Sequence, residues 1–205
     1  RQAHGACYFD CASHVPAKPY QHRPGRLSTR FLALLGSINV GGNRIKMVDL
    51  KAAMTTAGFG EVTTVAASGN VILEDACAPR EIEAVIEDLL RDQFGFNSCV
   101  MVRSQIEAQA AIDDNPFHGV GSDKMVHCVF LAAQPEEGRF EALVEECAGK
   151  GEEKLAIGER VLFVDYVNGV GTSALTARFL EQRLGVKGTA RNMNSLKNIL
   201  KKMGE

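Results

Sequence analysis

The sequence lacks tryptophan and any apolar run close to the roughly 18 residues that a membrane-spanning helix needs. It also lacks a C-x-x-C pair, and its six scattered cysteines favour reduced thiols over a disulfide scaffold. No apolar signal stretch stands near its first residue, so we expect a cytoplasmic protein. With 45% hydrophobic and 23% charged residues, the chain has the composition of a globular protein that buries a core.

The first segment differs in composition from the rest of the chain. Residues 1–29 have no helical or strand periodicity, and the first thirty residues hold five Lys or Arg side chains against one Asp. We therefore predict a flexible, disordered arm at 1–29. A cluster of zinc-ligand types in this arm has an atypical spacing and no surrounding fold, so we predict no metal site. The cluster consists of His4, Cys7, Cys11 and His14.

Apolar periodicity predicts the same order of elements twice: strand, helix, strand, strand, helix, strand. In the first helix, Asp49 is the expected N-cap and Gly58 the expected C-cap, and Gly95 ends the second helix. Because this order folds by right-handed crossovers into an antiparallel sheet with both helices on one face, it predicts a ferredoxin-like plait. The predicted strands are 31–35, 62–66, 71–73, 99–102, 126–131, 155–157, 161–166 and 186–190.

The predicted fold class is therefore α+β, with two tandem ferredoxin-like domains and a C-terminal helix. The first domain is placed at 30–103 and the second at 125–205, and a helical linker at 104–124 joins them. The C-terminal helix belongs to the second domain. Its apolar stripe consists of Leu196, Ile199, Leu200 and Met203.

Three segments in order carry a family resemblance. One runs from Leu34 to Gly42 as LLGSINVGG and continues to Lys46, one is Ser-Gly-Asn-Val from Ser68, and one is Thr-Ala-Arg-Asn from Thr189. Over residues 31–202 the sequence resembles the bacterial domain-of-unknown-function 1697 family. The resemblance implies two ferredoxin-like domains in tandem and no established activity.

The sequence also departs from the pattern of that family at polar positions. Gly36 and Ser37 stand where the family usually has Arg-Gly, and Ala67 stands where it has Gln. Ala174 replaces a common Lys, and Met193 replaces a Trp. We therefore expect this member to bind the ligand of the family differently or more weakly.

A polar loop at 37–46 is the main candidate for binding. It is longer than its connection requires, and a polar loop held by a rigid sheet is typical of binding sites, although glycines in an ordinary loop explain the same composition. Polar residues from the second domain would complete a site for an anionic small molecule. The predicted site consists of Ser37, Asn39, Gly41, Gly42, Lys46, Arg191 and Asn192.

The expected strand directions limit what this loop can form. We expect the first and third strands to be parallel neighbours, which places 37–46 and the hairpin at 68–70 at opposite edges of the sheet. They cannot then share a pocket within one domain. The second domain is therefore needed for a composite site.

The segment at 168–173, Asn-Gly-Val-Gly-Thr-Ser, is a weaker anion candidate at the start of a helix. An ordinary turn capped by Thr172 or Ser173 is the favoured interpretation, because the segment is neither a Walker loop nor a complete dinucleotide fingerprint.

No triad, metal set or carboxylate dyad supports an enzyme, and no cofactor is predicted. His127 and Cys128 are neighbours on a strand, so their side chains point to opposite faces and cannot meet. Four glutamates are assigned to the solvent face of an amphipathic helix. They are Glu136, Glu137, Glu145 and Glu146.

The alternative function is a nucleic-acid or protein interaction module that uses the basic C-terminal helix. Residues 178–205 hold seven Lys or Arg side chains against two glutamates. The paired aromatics of an RNA-binding plait are missing, which argues against nucleic acid and favours a solvated helix face.

Overall fold

The computed structural model describes residues 28–39 and 42–205. The arm predicted at 1–29 lies outside the described residues except for its last two, and Thr29 already begins the first strand. The His and Cys cluster of the arm and Gly41 of the predicted site also lie outside. In the described parts of the chain, no helix combines the length and the apolar character that crossing a membrane requires.

Two successive sets of elements, here called the first half and the second half, make up the molecule. The first half consists of β1 (Thr29–Leu35), α1 (Met47–Ala57), β2 (Gly60–Val65), β3 (Asn70–Asp75), α2 (Pro79–Phe94), β4 (Val100–Ser104) and α3 (Gln105–Asp113). The second half consists of β5 (Val126–Leu131), α4 (Arg139–Cys147), β6 (Lys154–Gly158), β7 (Val161–Asp165), α5 (Ala177–Leu184), β8 (Gly188–Asn192) and α6 (Met193–Met203), with a 3₁₀ turn at Val170–Thr172.

Each half contains one four-stranded sheet in which every neighbouring pair of strands is antiparallel. The strand order is β2-β3-β1-β4 in the first sheet and β6-β7-β5-β8 in the second. The α+β class and the element order predicted from periodicity are therefore confirmed.

The predicted parallel pairing of the first and third strands is wrong. β1 and β3 run antiparallel with Leu34 opposite Asn70, and the backbone N–H of Leu35 donates to the carbonyl of Gly69 at 2.8 Å. The α1 crossover makes β1 and β2 run in the same direction, and the hairpin then reverses β3. Consequently the loop that begins at Gly36 and the hairpin at 66–69 lie at the same edge of the sheet.

Glycines end the helices as predicted, but the expected N-cap of α1 is wrong. Gly58 and Gly95 adopt φ angles of 104° and 76° at the ends of α1 and α2, in the left-handed region that glycine enters most easily. Lys46 occupies the N-cap position of α1, and Asp49 lies within the first turn. The Asp49 carboxylate there faces the positive end of the helix dipole.

The buried apolar side chains form three clusters. One lies between the first sheet and α1 and α2, one lies between the second sheet and α4 and α5, and a central cluster joins both halves. β1 contributes side chains to two of these clusters. Ala33 and Leu35 face α1 and α2, whereas Leu32 and Leu34 face the central cluster. A strand covered on both faces explains the continuous apolar run in the sequence.

The helices α3 and α6 occupy equivalent places. Each follows the last strand of its half, and both contribute buried side chains to the central cluster, including Ala108 and Ala111 from α3 and Leu196 and Ile199 from α6. The segment predicted as a linker thus contains a helix that is part of the shared core.

Candidate functional site

Arg191 extends from β8 into the first half of the molecule and is only 8% exposed. Its Nε–H donates to Oδ1 of Asn70, and its Nη2 donates to the carbonyls of Leu35 at 2.9 Å, Ser68 at 3.0 Å and Gly69 at 3.3 Å. The arginine of the second half therefore binds the edge of the first sheet where β1 ends and the hairpin turns.

The remaining donors of Arg191 are also satisfied by protein. Nη1 donates to Oγ1 of Thr189 and to the carbonyl of Ala190, both at 2.8 Å. All its acceptors among the described residues are neutral. Burial lowers the pKa of Arg191 to about 10, which leaves the guanidinium protonated at neutral pH. An anion could reach this group only by displacing acceptors that the protein supplies.

Arg103 makes the reciprocal contact from the first half to the second. It is 2% exposed on β4, and its Nη2 donates to the carbonyls of Leu131 at 2.5 Å and Arg160 at 3.4 Å. Leu131 ends β5 as Leu35 ends β1. Burial lowers the pKa of Arg103 to about 10, although the Glu107 and Glu83 carboxylates act in the opposite direction.

Asn39 of the predicted site holds its own loop in place. Its Oδ1 accepts from the backbone N–H of Ile45 at 3.0 Å, and its Nδ2 donates to the carbonyls of Ala67 at 2.7 Å and Ile45 at 3.2 Å. Ser37 and Asn39 have positive φ angles of 55° and 58°. The two contacts with Ile45 therefore hold the loop in a constrained conformation, and the contact with Ala67 ties it to the neighbouring hairpin.

The other predicted residues fall in different surroundings. Ser37, Gly42 and Lys46 are exposed, whereas Asn192 is half-buried and caps α6 by accepting from the N–H of Ser195 at 2.9 Å. The structure thus brings Arg191 to the edge of the first sheet, and Asn192 serves a helix of the second half. Binding of an anionic small molecule at these residues stays a prediction.

An open cleft lies in the second half, where the end of α4 faces the segment that leads into α5. This cleft has a volume of about 440 Å³. Its floor includes the buried side chains of Tyr166 and Leu175 and the half-buried ring of Phe179. Cavities of this size that combine apolar walls with a few polar groups are typical of small-molecule sites.

Acidic side chains dominate the rim of the cleft. Glu153 accepts from Oγ of Ser173 at 2.5 Å, and Glu152 accepts from Nδ2 of Asn168 at 2.5 Å. Within the described chain, neither carboxylate forms an ion pair with a basic side chain. Both are therefore held by neutral donors and keep their negative charge uncompensated.

Two further charged groups line the cleft. Glu146 accepts from Nε of Arg183 at 2.5 Å and from Nη2 at 2.8 Å, and this bidentate pair lowers the pKa of the Glu146 carboxyl. Lys150 is the one basic residue among the side chains that line the cleft in the described structure. Cys147 is half-buried there, and burial raises the pKa of its thiol.

The segment at 168–173 forms part of the cleft and does not supply the N-terminus of α5. α5 begins only at Ala177, and Thr176 caps it by accepting from the N–H of Phe179 at 3.2 Å, so the predicted cap at Thr172 or Ser173 is wrong. Asn168 and Ser173 instead donate to the two glutamates. These carboxylates would repel an anion.

Sequence reasoning missed the acidic rim. Glu136 and Glu137 precede α4, and Glu146 lines the cleft instead of facing only solvent. The structure shows a role for Gly151 that the sequence alone does not, because a Cβ at this position would overlap Oε2 of Glu153. Glycine therefore allows the Glu153 carboxylate to fold across the backbone.

Two other candidate residues, Cys128 and His127, pack against neighbouring side chains. Cys128 is buried in the central cluster, which raises the pKa of its thiol to about 12, whereas the ring of His127 packs edge-on against Tyr166 at 5.0 Å on the other face. The prediction that this pair cannot meet is confirmed. In residues 28–39 and 42–205, no group of three or more His, Cys, Asp or Glu side chains is arranged to hold a metal.

Three of the seven basic side chains at 178–205 are buried or form ion pairs with acidic side chains. Arg191 is buried, Arg183 pairs with Glu146, and Lys197 pairs with Asp123 at 2.6 Å. The exposed remainder consists of Arg178, Lys187, Lys201 and Lys202.

The fold and the cleft define an α+β protein whose two antiparallel sheets share a core and whose second half carries an open acidic pocket. The family model described as a protein of unknown function, DUF1697, matches residues 28–163. The chain therefore belongs to this family, and the predicted resemblance is confirmed. The motif that begins at Thr189 lies beyond the matched residues.

A solved structure supports the fold. The conserved bacterial protein SP0830 from Streptococcus pneumoniae is 18% identical and superposes with a TM-score of 0.66, covering 87% of this chain and 100% of its own. At this identity the likeness concerns the fold alone. A search of the curated proteins finds no match.

Proposed function

We propose that this protein binds a small organic cation, an amine attached to an apolar body, in the cleft of the second half. The observation that carries this proposal is the placement of two carboxylates, Glu152 and Glu153, above an apolar floor; within residues 28–39 and 42–205 neither has a cationic partner. Tyr166, Leu175 and Phe179 supply surface for the apolar body.

The charges on the rim favour a cation over an anion. A bound ammonium group would donate hydrogen bonds to the carboxylates, and charge-assisted hydrogen bonds are roughly twice as strong as neutral ones. The carboxylates need no rearrangement for this, because Ser173 and Asn168 already orient them. The half-buried ring of Phe179 adds a face for stacking or a cation–π contact.

The test compares three molecules of one shape: phenethylamine, 2-phenylethanol and phenylacetate. We expect calorimetric or NMR titration to detect phenethylamine binding, weaker binding of the alcohol and none of the acid. The double variant Glu152→Gln/Glu153→Gln should weaken amine binding at least tenfold, because the neutral amides keep the shape and lose the charge. Glu137→Gln, which removes one exposed charge outside the cleft, is the control for nonspecific electrostatics.

Equal binding of all three molecules, or an unchanged amine affinity in the double variant, would contradict the proposal. Raising the salt concentration should weaken the wild-type affinity only moderately, since the carboxylates lie partly inside the cleft.

An anionic ligand at the edge of the first sheet is the second candidate. The observation in its favour is that Arg191 is a buried, protonated guanidinium whose acceptors are neutral, and the exposed Ser37 and Lys46 border the same loop. Titration with inorganic phosphate and adenosine monophosphate tests it. Loss of binding in Lys46→Ala would support it, and the absence of binding in the wild type would end it.

We also infer that each half is a ferredoxin-like plait and that the two arose by duplication. The matching strand orders and the reciprocal contacts of Arg103 and Arg191 support this. The equivalence of α3 and α6 favours a domain boundary after α3, within 114–125, instead of a linker that begins at residue 104. If the isolated second half, residues 114–205, failed to fold, this would show that the two halves depend on each other for stability. The inference of duplication would not be affected.

A further inference from the structure

A second, apolar cavity lies next to the cleft, and it bears on the chemistry of the ligand. This cavity, here called the tail cavity, has a volume of about 220 Å³ and lies between α5 and the outer face of the second sheet. Building on the function proposed above, we infer that the ligand is an amphiphilic amine whose alkyl or aryl tail occupies the tail cavity.

The cleft and the tail cavity share a wall. Tyr166 and Leu175 line both, and the Tyr166 hydroxyl donates to the Leu175 carbonyl at 3.3 Å. The segment at 170–176 borders the two openings, because Thr172 and Ala174 line the cleft whereas Val170 and Thr176 line the tail cavity. A molecule lying along this segment reaches from the carboxylates into the apolar space.

The lining of the tail cavity suits a hydrocarbon. Its walls include Val129 and Leu131 from β5 and Leu180 and Leu184 from α5, all of them part of the buried cluster of the second half. An apolar cavity of about 150 Å³ in another protein stays dry and binds benzene, so the tail cavity is large enough for a ring or a short alkyl chain.

The tail cavity is also open to solvent at one side. Ala190 on β8 lines it and is exposed, and Val170 lines it with 47% of its surface exposed. The helices over the second sheet are short, with 9 residues in α4 and 8 in α5, and Ala190 on β8 remains exposed beside them. A side chain enlarged at Ala190 would fill the cavity from the surface with little effect on folding.

The experiment measures the affinity of the full chain for n-alkylamines from propyl to octyl by NMR titration. Because each buried methylene contributes roughly 0.8 kcal/mol, we expect affinity to increase about fourfold per methylene until the cavity is full. In Ala190→Leu this increase should disappear, so that octylamine binds no more tightly than propylamine. Ala52→Leu, the same substitution at an exposed position on α1, is the matched control.

The possible outcomes separate this inference from the proposed function. Amines that bind without dependence on length, or a length dependence that persists both in Ala190→Leu and in Val170→Phe, would overturn the tail assignment and leave the cleft proposal intact. The absence of binding by every amine would overturn the cleft proposal, and the tail assignment with it. Octanol binding as tightly as octylamine would overturn the amphiphilic amine as the ligand class.

Discussion

The two halves of the molecule hold each other through equivalent arginines, but the surroundings of these arginines differ. In the described part of the chain, Arg191 has only neutral acceptors, which are Asn70 and backbone or hydroxyl oxygens. Arg103 lies near two carboxylates, with Glu83 at 4.0 Å, and its guanidinium is 5.9 Å from the ring centroid of Phe130. The same geometry thus tolerates two ways of stabilising a buried cation.

A second difference concerns the openings of the molecule. In the first half the outer face of the sheet is covered by helices of 11 and 16 residues, whereas the helices of the second half have 9 and 8. The cleft and the tail cavity both lie in the second half. This comparison indicates that the first half mainly provides scaffold and that the second half binds the ligand.

The largest expected effect is that of removing Arg191. Arg191→Met leaves Asn70 and the Leu35 and Ser68 carbonyls without their donor, so we expect the free energy of unfolding to fall by about 3–5 kcal/mol. Arg103→Met should cost less, about 2–3 kcal/mol, because Arg103 donates fewer hydrogen bonds. Urea denaturation measures the free energy of unfolding of both variants. A larger loss of stability in Arg103→Met than in Arg191→Met would contradict the expected order.

A smaller effect is expected at the hairpin position where the halves differ in residue type. Gly69 and Arg160 are equivalent, since their carbonyls accept from the N–H groups of Leu35 and Leu131 and both have positive φ angles, 72° and 50°. A Cβ at Gly69 would lie 2.8 Å from Cγ1 of Ile38. We expect Gly69→Ala to destabilise the protein by about 2 kcal/mol.

Thermal unfolding of Gly69→Ala tests this expectation, with Gly42→Ala as a control. Gly42 also has a positive φ angle, 106°, but a Cβ there would meet no atom of the described residues within 4 Å. Equal losses in the two variants would show that backbone strain, and not the contact with Ile38, sets the cost.

The smallest expected effect depends on pH. His127 occupies the position in β5 that Phe31 occupies in β1, and burial lowers the pKa of its imidazole. The unfolded chain therefore binds the proton more readily, so the stability that neutral His127 contributes is present above pH 6.5 and is lost as the pH falls below it.

His127→Phe makes the second half resemble the first and should weaken the fall in unfolding free energy between pH 7.5 and 5.5, by about 1 kcal/mol or less. Denaturation at both pH values measures the change. The same fall in the variant and in the wild type would assign the acid sensitivity to other groups.

Much of the fold could be predicted from the sequence because local patterns determine it. The apolar run in β1, the periodic face of α2 and the glycines at 58 and 95 each report on their immediate surroundings. The prediction that β1 and β3 are neighbours is confirmed, but their predicted parallel direction is wrong, because strand direction depends on the whole crossover and not on any single residue. Chain topology therefore decides which loops share an edge.

The candidate site was harder to predict for a related reason. The sequence predicts Arg191 in a site for an anionic ligand, but in the structure its side chain binds acceptors more than 120 positions away along the chain, such as Asn70. Glu152 and Glu153 belong to an unremarkable polar turn, and only the fold places them opposite Asn168 and Ser173. Contacts between distant segments leave no periodic signal in one sequence.

The most direct test of a ligand site in the second half is a ¹H–¹⁵N NMR titration of the full chain with phenethylamine. We predict saturable shifts of the backbone amides of Gly151, Glu152 and Glu153 and of the segment at 168–175, with little change in the loop that contains Ser37. Saturable shifts confined to that loop, or none anywhere in the spectrum, would contradict a binding site in the second half.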